Sequence, residues 1–419
     1  MNAPVKLTAV EEALVASFSD RAGTLPGNAD TVEARDAAIE ALKSNGLPTR
    51  KIEAWHYTDL RRLLTKLPSG TGGQMVQSAP ILDGSHVLTV ENGVATTPSQ
   101  LDGLNVELIA DALGAEVGGY VPEFDGSDDT IGQINAAFVA GGYRFTVSDG
   151  SELTQAVEIQ TLTAATQAHS SHLVAIGADA SATFVDRSAS TDDAMSTGVA
   201  TVTVKDGATL DWIVVQEEGA DASRLTKLVF DIAEGATVNL FIANFGGQLI
   251  RQEVHARCAG ENSHLNFRAI NMVGDDTHCD ITLMLDHKVP NTTSEETVRS
   301  VVTGNGQAVF QGQIRVAQIA QKTDAQMAAN TLLLSDEAGV SVKPELEIFA
   351  DDVICAHGAT VAEIDENHLF YLMARGISEK TARGLLVEAF VDELVEELEN
   401  EQLVEALETR ISTWLETHG

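Results

Sequence analysis

Two side chains with metal-binding chemistry stand two residues apart in Cys355-Ala356-His357-Gly358-Ala359-Thr360. In an extended chain, residues i and i+2 project from one face, so a thiolate and an imidazole would point together. A thiophilic metal such as iron accepts that donor pair. The same pair also suits a quiet strand end, with the cysteine packed as a small hydrophobe and the histidine hydrogen-bonded. Two ligands do not close a coordination shell, and local chemistry leaves both readings open.

Other cysteines and histidines are less favourably spaced. His255 and Cys258 are three apart and His278 and Cys279 are adjacent, so neither pair shares a strand face. His169 and His172 fall at an expected loop-to-strand join and read as surface residues. Cys258, Cys279 and Cys355 form a sparse, odd set that fits a reducing cytoplasm better than a disulfide framework.

Several chemistries are absent. There is no G-x-x-x-x-G-K-[ST], G-x-S-x-G, H-E-x-x-H or C-x-x-C, so the chain brings no P-loop, hydrolase elbow, zinc-protease helix or dithiol motif. A formal charge of −36 disfavours nucleic acid and anionic membrane surfaces as partners. Met1-Asn2-Ala3-Pro4 does not read as the start of a secretory leader and LVFDIAEGATVNLFIANF is broken by Asp231, Glu234 and Gly235, so neither a secretory signal nor a membrane span is expected.

The elements that must position Cys355 and His357 follow from periodicity. Residues 1–75 read as a helical region. Val10, Leu14, Val15 and Phe18 form one stripe; Val32, Ala38, Ile39 and Leu42 form a weaker one that Arg35 interrupts. Trp55 and Tyr57, in Lys51–Arg61, read as anchors to the body. Residues 76–150 form a mixed connecting region. From 151 to 362, short alternating runs recur behind small turns: Gly177-Ala178-Asp179-Ala180, Gly207-Ala208-Thr209 and Gly235-Ala236-Thr237, with Gly260–Phe267 a looser copy. Such recurrence predicts stacked coils of a β-solenoid, with an antiparallel sandwich as the competitor. Leu210, Trp212 and Val214 should face one side, Asp211 and Ile213 the other. Gly304-Asn305-Gly306 reads as a turn.

Residues 363–419 are helical. Asp365 and Ser378 are expected N-caps and Gly376 a C′ stop. Leu386, Val387, Phe390, Val391, Leu394, Val395 and Leu398 form one stripe; Leu403, Leu407, Ile411 and Trp414 form another. These helices are expected to follow a solenoid already capped by one helix, leaving surface for a partner.

The block KPELEIFADDVICAHGATVAEIDENHLFYLMARG, Lys343 to Gly376, resembles the SufB/SufD family of iron–sulfur cluster assembly proteins, specifically its SufD branch. Glu53-Ala54-Trp55-His56-Tyr57-Thr58 resembles the family's N-terminal E-x-W-x-Y-T element. The strong likeness covers about 320–395. Asn330–Asp336 lacks the cysteine usual in the SufB branch, which is the alternative within the family.

That resemblance implies a mainly β protein: a right-handed parallel β-helix core flanked by N-terminal and C-terminal helical regions. It implies a non-catalytic scaffold in a SufBCD-type complex, pairing with SufB through the β-helix end and docking the SufC ATPase on its C-terminal helices. Isolated chains would be candidates for homodimers. Leu369, Phe370, Tyr371, Leu372, Arg375 and Gly376 match the ATPase-docking element. His357 and Cys355 match positions beside the SufB–SufD interface, with the histidine favoured as ligand to iron or a transient cluster; reduced flavin in the complex is a further candidate. Ala356 departs from the serine common in relatives, which opens the hydrogen bonding around His357. A β-helix polysaccharide enzyme is the alternative from another class. It needs converging carboxylates, whereas Asp275-Asp276 and Asp351-Asp352 are adjacent pairs that a strand would split.

Overall fold

The computed structural model describes residues 6–70, 72–117 and 119–418. Its centre is a flattened parallel β-solenoid of two sheets, and successive coils contribute one strand to each. Thr209–Glu217, Thr237–Asn244, His264–Val273, Thr293–Val302, Asp324–Leu333 and Ile354–Glu363 are consecutive in the ten-stranded sheet. Leu249–Cys258, His278–His287, Gln307–Val316 and Gly339–Ile348 end the nine-stranded one. The sandwich alternative fails because every pairing between consecutive coils is parallel.

The recurring turns explain how the coils stack. Asp179, Gly207 and Gly235 all adopt positive φ (54°, 68° and 64°), a conformation that glycine takes without penalty. Each donates its N–H to the coil above: Asp179 to Asp206 O, Gly207 to Glu234 O and Gly235 to Glu261 O, at 2.8–2.9 Å. The following Ala180, Ala208 and Ala236 are buried where the chain turns inward. Alternation then fills the interior with Leu210, Trp212 and Val214. Trp212 stacks on Phe184 with centroids 5.4 Å apart and meets Phe230 edge-on at 6.2 Å. The outward Ile213 is also buried, under a helical layer.

Helices cover the outer face of each sheet. On the nine-stranded sheet, Ile131, Ile134 and Phe138 of Thr130–Phe138 pack with Met195, Leu225 and Leu249. Ala9–Arg21 begins at a capping box of Thr8 and Glu11 and buries Val10, Leu14 and Phe18. Ala29–Asn45 buries Ala38, Ile39 and Leu42 but leaves Val32 exposed. Arg35 breaks the stripe for a reason: it is buried and donates to the carbonyls of Pro26, Ala137 and Val139. These last two acceptors lie at the end of Thr130–Phe138, where helical carbonyls lack partners.

On the ten-stranded sheet, Glu379–Val395 and Glu401–His418 lay their stripes over Ile213, Phe241, Ile270 and Val301. They are a sheath along the side, not an addition beyond a helical end cap as the sequence suggests. The solenoid's two ends differ. At the first, Val94–Ala95 pairs antiparallel with His86–Glu91, and Leu104–Leu108 pairs antiparallel with Gly141–Val147. At the second, the ten-stranded sheet stops at Ile354–Glu363, which is mostly exposed.

Trp212→Ala should therefore remove the centre of the aromatic stack and cost about 3–5 kcal/mol, read as a lowered denaturation midpoint in urea.

Candidate functional site

Cys355 and His357 do share a face. Their strand pairs Cys355 with Ala325 and His357 with Met327, both interior residues of the preceding coil. The columns continue inward as Ala325, Ser294, Leu265 and as Met327, Glu296, Phe267. The pair thus lies on the interior face of the last coil, at the open end. Cys355 is half-buried against the core, and burial pushes its thiol up despite help from the Ala325 backbone. His357 is exposed. Among the described residues no three His, Cys, Asp or Glu side chains already converge in a metal-holding group.

Beneath this face the interior turns polar. Glu296 is fully buried and neither carboxyl oxygen has a hydrogen-bond partner. Burial, reinforced by Glu295, lifts its pKa to about 8 against a weaker pull from Ser294. The Ser294 hydroxyl lies 3.1 Å from His287 Nε2, while His287 Nδ1 lies 2.7 Å from Thr292 Oγ1. Burial lowers His287 to about 4 and raises Cys258, its neighbour in the adjacent coil, to about 12. Cys279 is buried on another column, its thiol also driven up by burial, with Sγ 3.7 Å from Asn271 Oδ1. Glu296 is not singled out by the sequence, where it stands beside Glu295 with no mark of burial of its own. The available signal was the alternation of Ser294, Glu296 and Val298 within Thr293–Val302.

The C-terminal element divides into two faces. Asp365 caps Glu366–Met373 by accepting from the N–H groups of Asn367 and His368. Leu369 is buried and Leu372 packs on the sheath, whereas Phe370 is 73% exposed and Tyr371 54%. Arg375 stacks its guanidinium 4.2 Å from the Tyr371 ring centroid. Gly376 ends the turn at φ 88°.

The tryptophan element locks the N-terminal region to the solenoid. Trp55 is buried, donates Nε1–H to Asp128 O at 3.3 Å and carries Arg251 3.8 Å from its ring centroid. Arg251 pairs with Glu253 at 2.8 Å and with Asp280, which also accepts from Thr58. Thr58 Oγ1 lies 2.9 Å from His278 Nε2, and Glu53 pairs with Lys343 of the terminal coil. His169 and His172 are not surface residues. Both are buried within Gln167–Ile176, His169 stacked on Phe138 and His172 against Tyr143, and burial drops His172 to about 3. A strand here, where a loop join was expected, carries them into the packed layers.

The chain is thus a two-sheeted parallel solenoid, sheathed by helices, with Cys355 and His357 at the open end. The model of the SUF system FeS cluster assembly SufBD core domain matches residues 159–390. Iron-sulfur cluster assembly protein SufD of Escherichia coli is 31% identical over 392 residues, 89% of this chain and 90% of that protein. The chloroplastic protein ABCI7 of Arabidopsis thaliana is 27% identical, covering 88% and 83% of the two chains. A SufBD family protein of Synechocystis is 32% identical over 187 residues, 44% of this chain and 40% of that one. The chain belongs to the SufB/SufD family of iron–sulfur cluster assembly proteins and is SufD-like. No helix among the described residues is long and apolar enough to cross a membrane.

The buried carboxyl of Glu296 makes a pH signature. Its folded pKa lies above the ordinary 4.5, so stability is greatest below that value and falls as pH rises toward about 8. Glu296→Gln should flatten that part of the profile and raise the melting temperature most near pH 8, measured by scanning calorimetry across a pH series.

Proposed function

We propose that this chain is a non-catalytic scaffold subunit of a SufBCD-type complex. It pairs through its open solenoid end with a SufB partner and docks a SufC-type ATPase on its C-terminal helices. The observation that carries this reading is the open end itself. Ile354–Ala362 contains no Lys, Arg, Asp, Glu or Pro, the residues that usually defend an exposed sheet edge. Such an edge favours a partner strand, and Cys355 and His357 lie beside it.

Iron or a nascent cluster is cargo at that interface, with His357 and Cys355 as this chain's donors and the partner completing the shell. The exposed Phe370 and Tyr371, with Arg375 stacked on the tyrosine, offer an apolar anchor for the ATPase, while Leu369 and Leu372 hold the helix in place. Gly376 fits the turn that presents this element. The strongly acidic surface fits a cytoplasmic assembly with no nucleic-acid or membrane partner.

Two experiments test separate halves of the proposal. Phe370→Asp should abolish co-purification with the ATPase while leaving the chain folded and paired with SufB; retention of the ATPase would remove the docking assignment. His357→Ala should leave the three-component complex intact and lower anaerobic cluster yield by about tenfold or more, read by visible absorption and iron content. Unchanged yield would reduce His357 to a structural residue.

A further inference from the structure

We propose that Glu296 is a concealed third donor of the open-end site: displacement of Met327 lets its carboxylate and the His357 imidazole bind one divalent cation of the iron class. This inference rests on the reading of Cys355 and His357 given above.

Three observations converge on Glu296. Its carboxyl is wholly buried and neither oxygen makes a hydrogen bond of good geometry, Ser294 being the one nearby hydroxyl that draws its pKa down, a costly arrangement with room for a further partner. It stands on the same interior column as His357, with only Met327 between them. It also lies near enough to Cys355 that its carboxylate, once ionised, adds to the burial that raises that thiol. The groups around it are Ser294, whose hydroxyl oxygen lies 3.1 Å from His287 Nε2 and which also draws the Glu296 pKa down, Glu295, and the Cys258 and Cys355 thiols. None of these supplies a positive charge, so burial keeps the carboxyl in its neutral form. A cation arriving from the open end would let it release its proton and bind as the carboxylate.

The spacing permits shared ligation. Two strand steps separate the Cα atoms of Glu296 and His357 by about 9.6 Å. A carboxylate and an imidazole each reach roughly 4–5 Å from Cα, and bonds to the ion add about 2 Å each. The span is therefore closed with slack, provided that nothing stands between. Met327 does, and it is an unbranched, flexible side chain. Its Sδ occupies space left by Gly312 on the facing sheet, where an added Cβ would come within 2.5 Å. The interior is thus already shaped around the thioether, and changing its rotamer would open the column. Imidazole, carboxylate and thiol form a mixed set that suits iron(II), with Cys355 as the softer donor.

Anaerobic titration of the full-length chain with cobalt(II), followed through its visible ligand-field bands, tests this. The wild-type chain should bind one cobalt(II). Glu296→Gln should weaken binding by about tenfold or more and shift the bands, with the melting temperature unchanged or raised. His357→Ala should weaken it at least as much, and Met327→Ala should speed uptake. If His357→Ala weakens binding and Glu296→Gln does not, Glu296 is no donor, while the open-end reading stands. If neither variant matters, both the inference and that reading fall. A wild-type chain that binds no cobalt(II) also overturns the inference, because three donors from one chain should hold the ion without a partner.

Discussion

Backbone pairing between coils is the constraint on which the rest depends. Each strand in the middle of the solenoid is satisfied by the coil before and the coil after, as Asp324–Leu333 is by Thr293–Val302 and Ile354–Glu363. Such a stack cannot end without leaving a row of N–H and C=O groups unpaired. The first end answers this with short antiparallel strands. The second answers only in part: Gly339–Ile348 carries Lys343, Glu345, Glu347 and an edge-tolerated Pro344, whereas the adjacent Ile354–Ala362 is undefended. Asymmetry between the ends therefore gives the molecule a direction.

Burial of both sheets imposes a second demand. Parallel sheets need cover on both faces, and here the two helical regions supply the outer layers. The N-terminal cover is not wholly apolar. Arg251, Glu253, Asp280 and Thr58 form a buried polar joint under Trp55. Replacing such a joint with apolar residues is often neutral for stability, whereas removing one partner is costly. Its evident consequence is registry: Trp55 can seat only where Arg251 is, which also brings Glu53 to Lys343 on the terminal coil.

The sequence made the coils legible because each turn repeats one local requirement: a positive-φ residue, then a small residue, then alternation. Asp365, Ser378 and the stripes of the last two long helices were equally readable, since capping and 3.6-residue periodicity are local. What escaped depended on neighbours distant in sequence. Arg35 looked like an interruption because its acceptors lie about a hundred residues away. His169 and His172 were expected at the surface because a loop-to-strand join was read there, whereas Gln167–Ile176 is one strand whose histidines are buried between packed layers. Glu296, next to Glu295, carries no local mark of burial, and only the register of three coils places it inside.

These points explain why chemistry would gather at the last coil. Inward-facing positions deep in the stack are sealed by the coils on either side, so Leu240 or Phe267 can serve only as packing. On the last coil the same inward position is reachable from outside. Cys355 and His357 occupy columns that elsewhere hold Leu265 and Phe267. The fold thus converts a core position into an accessible one without any change of register. The pair gains rigid placement from the pleat and access from the missing next coil, and a partner continuing the stack would bury it again.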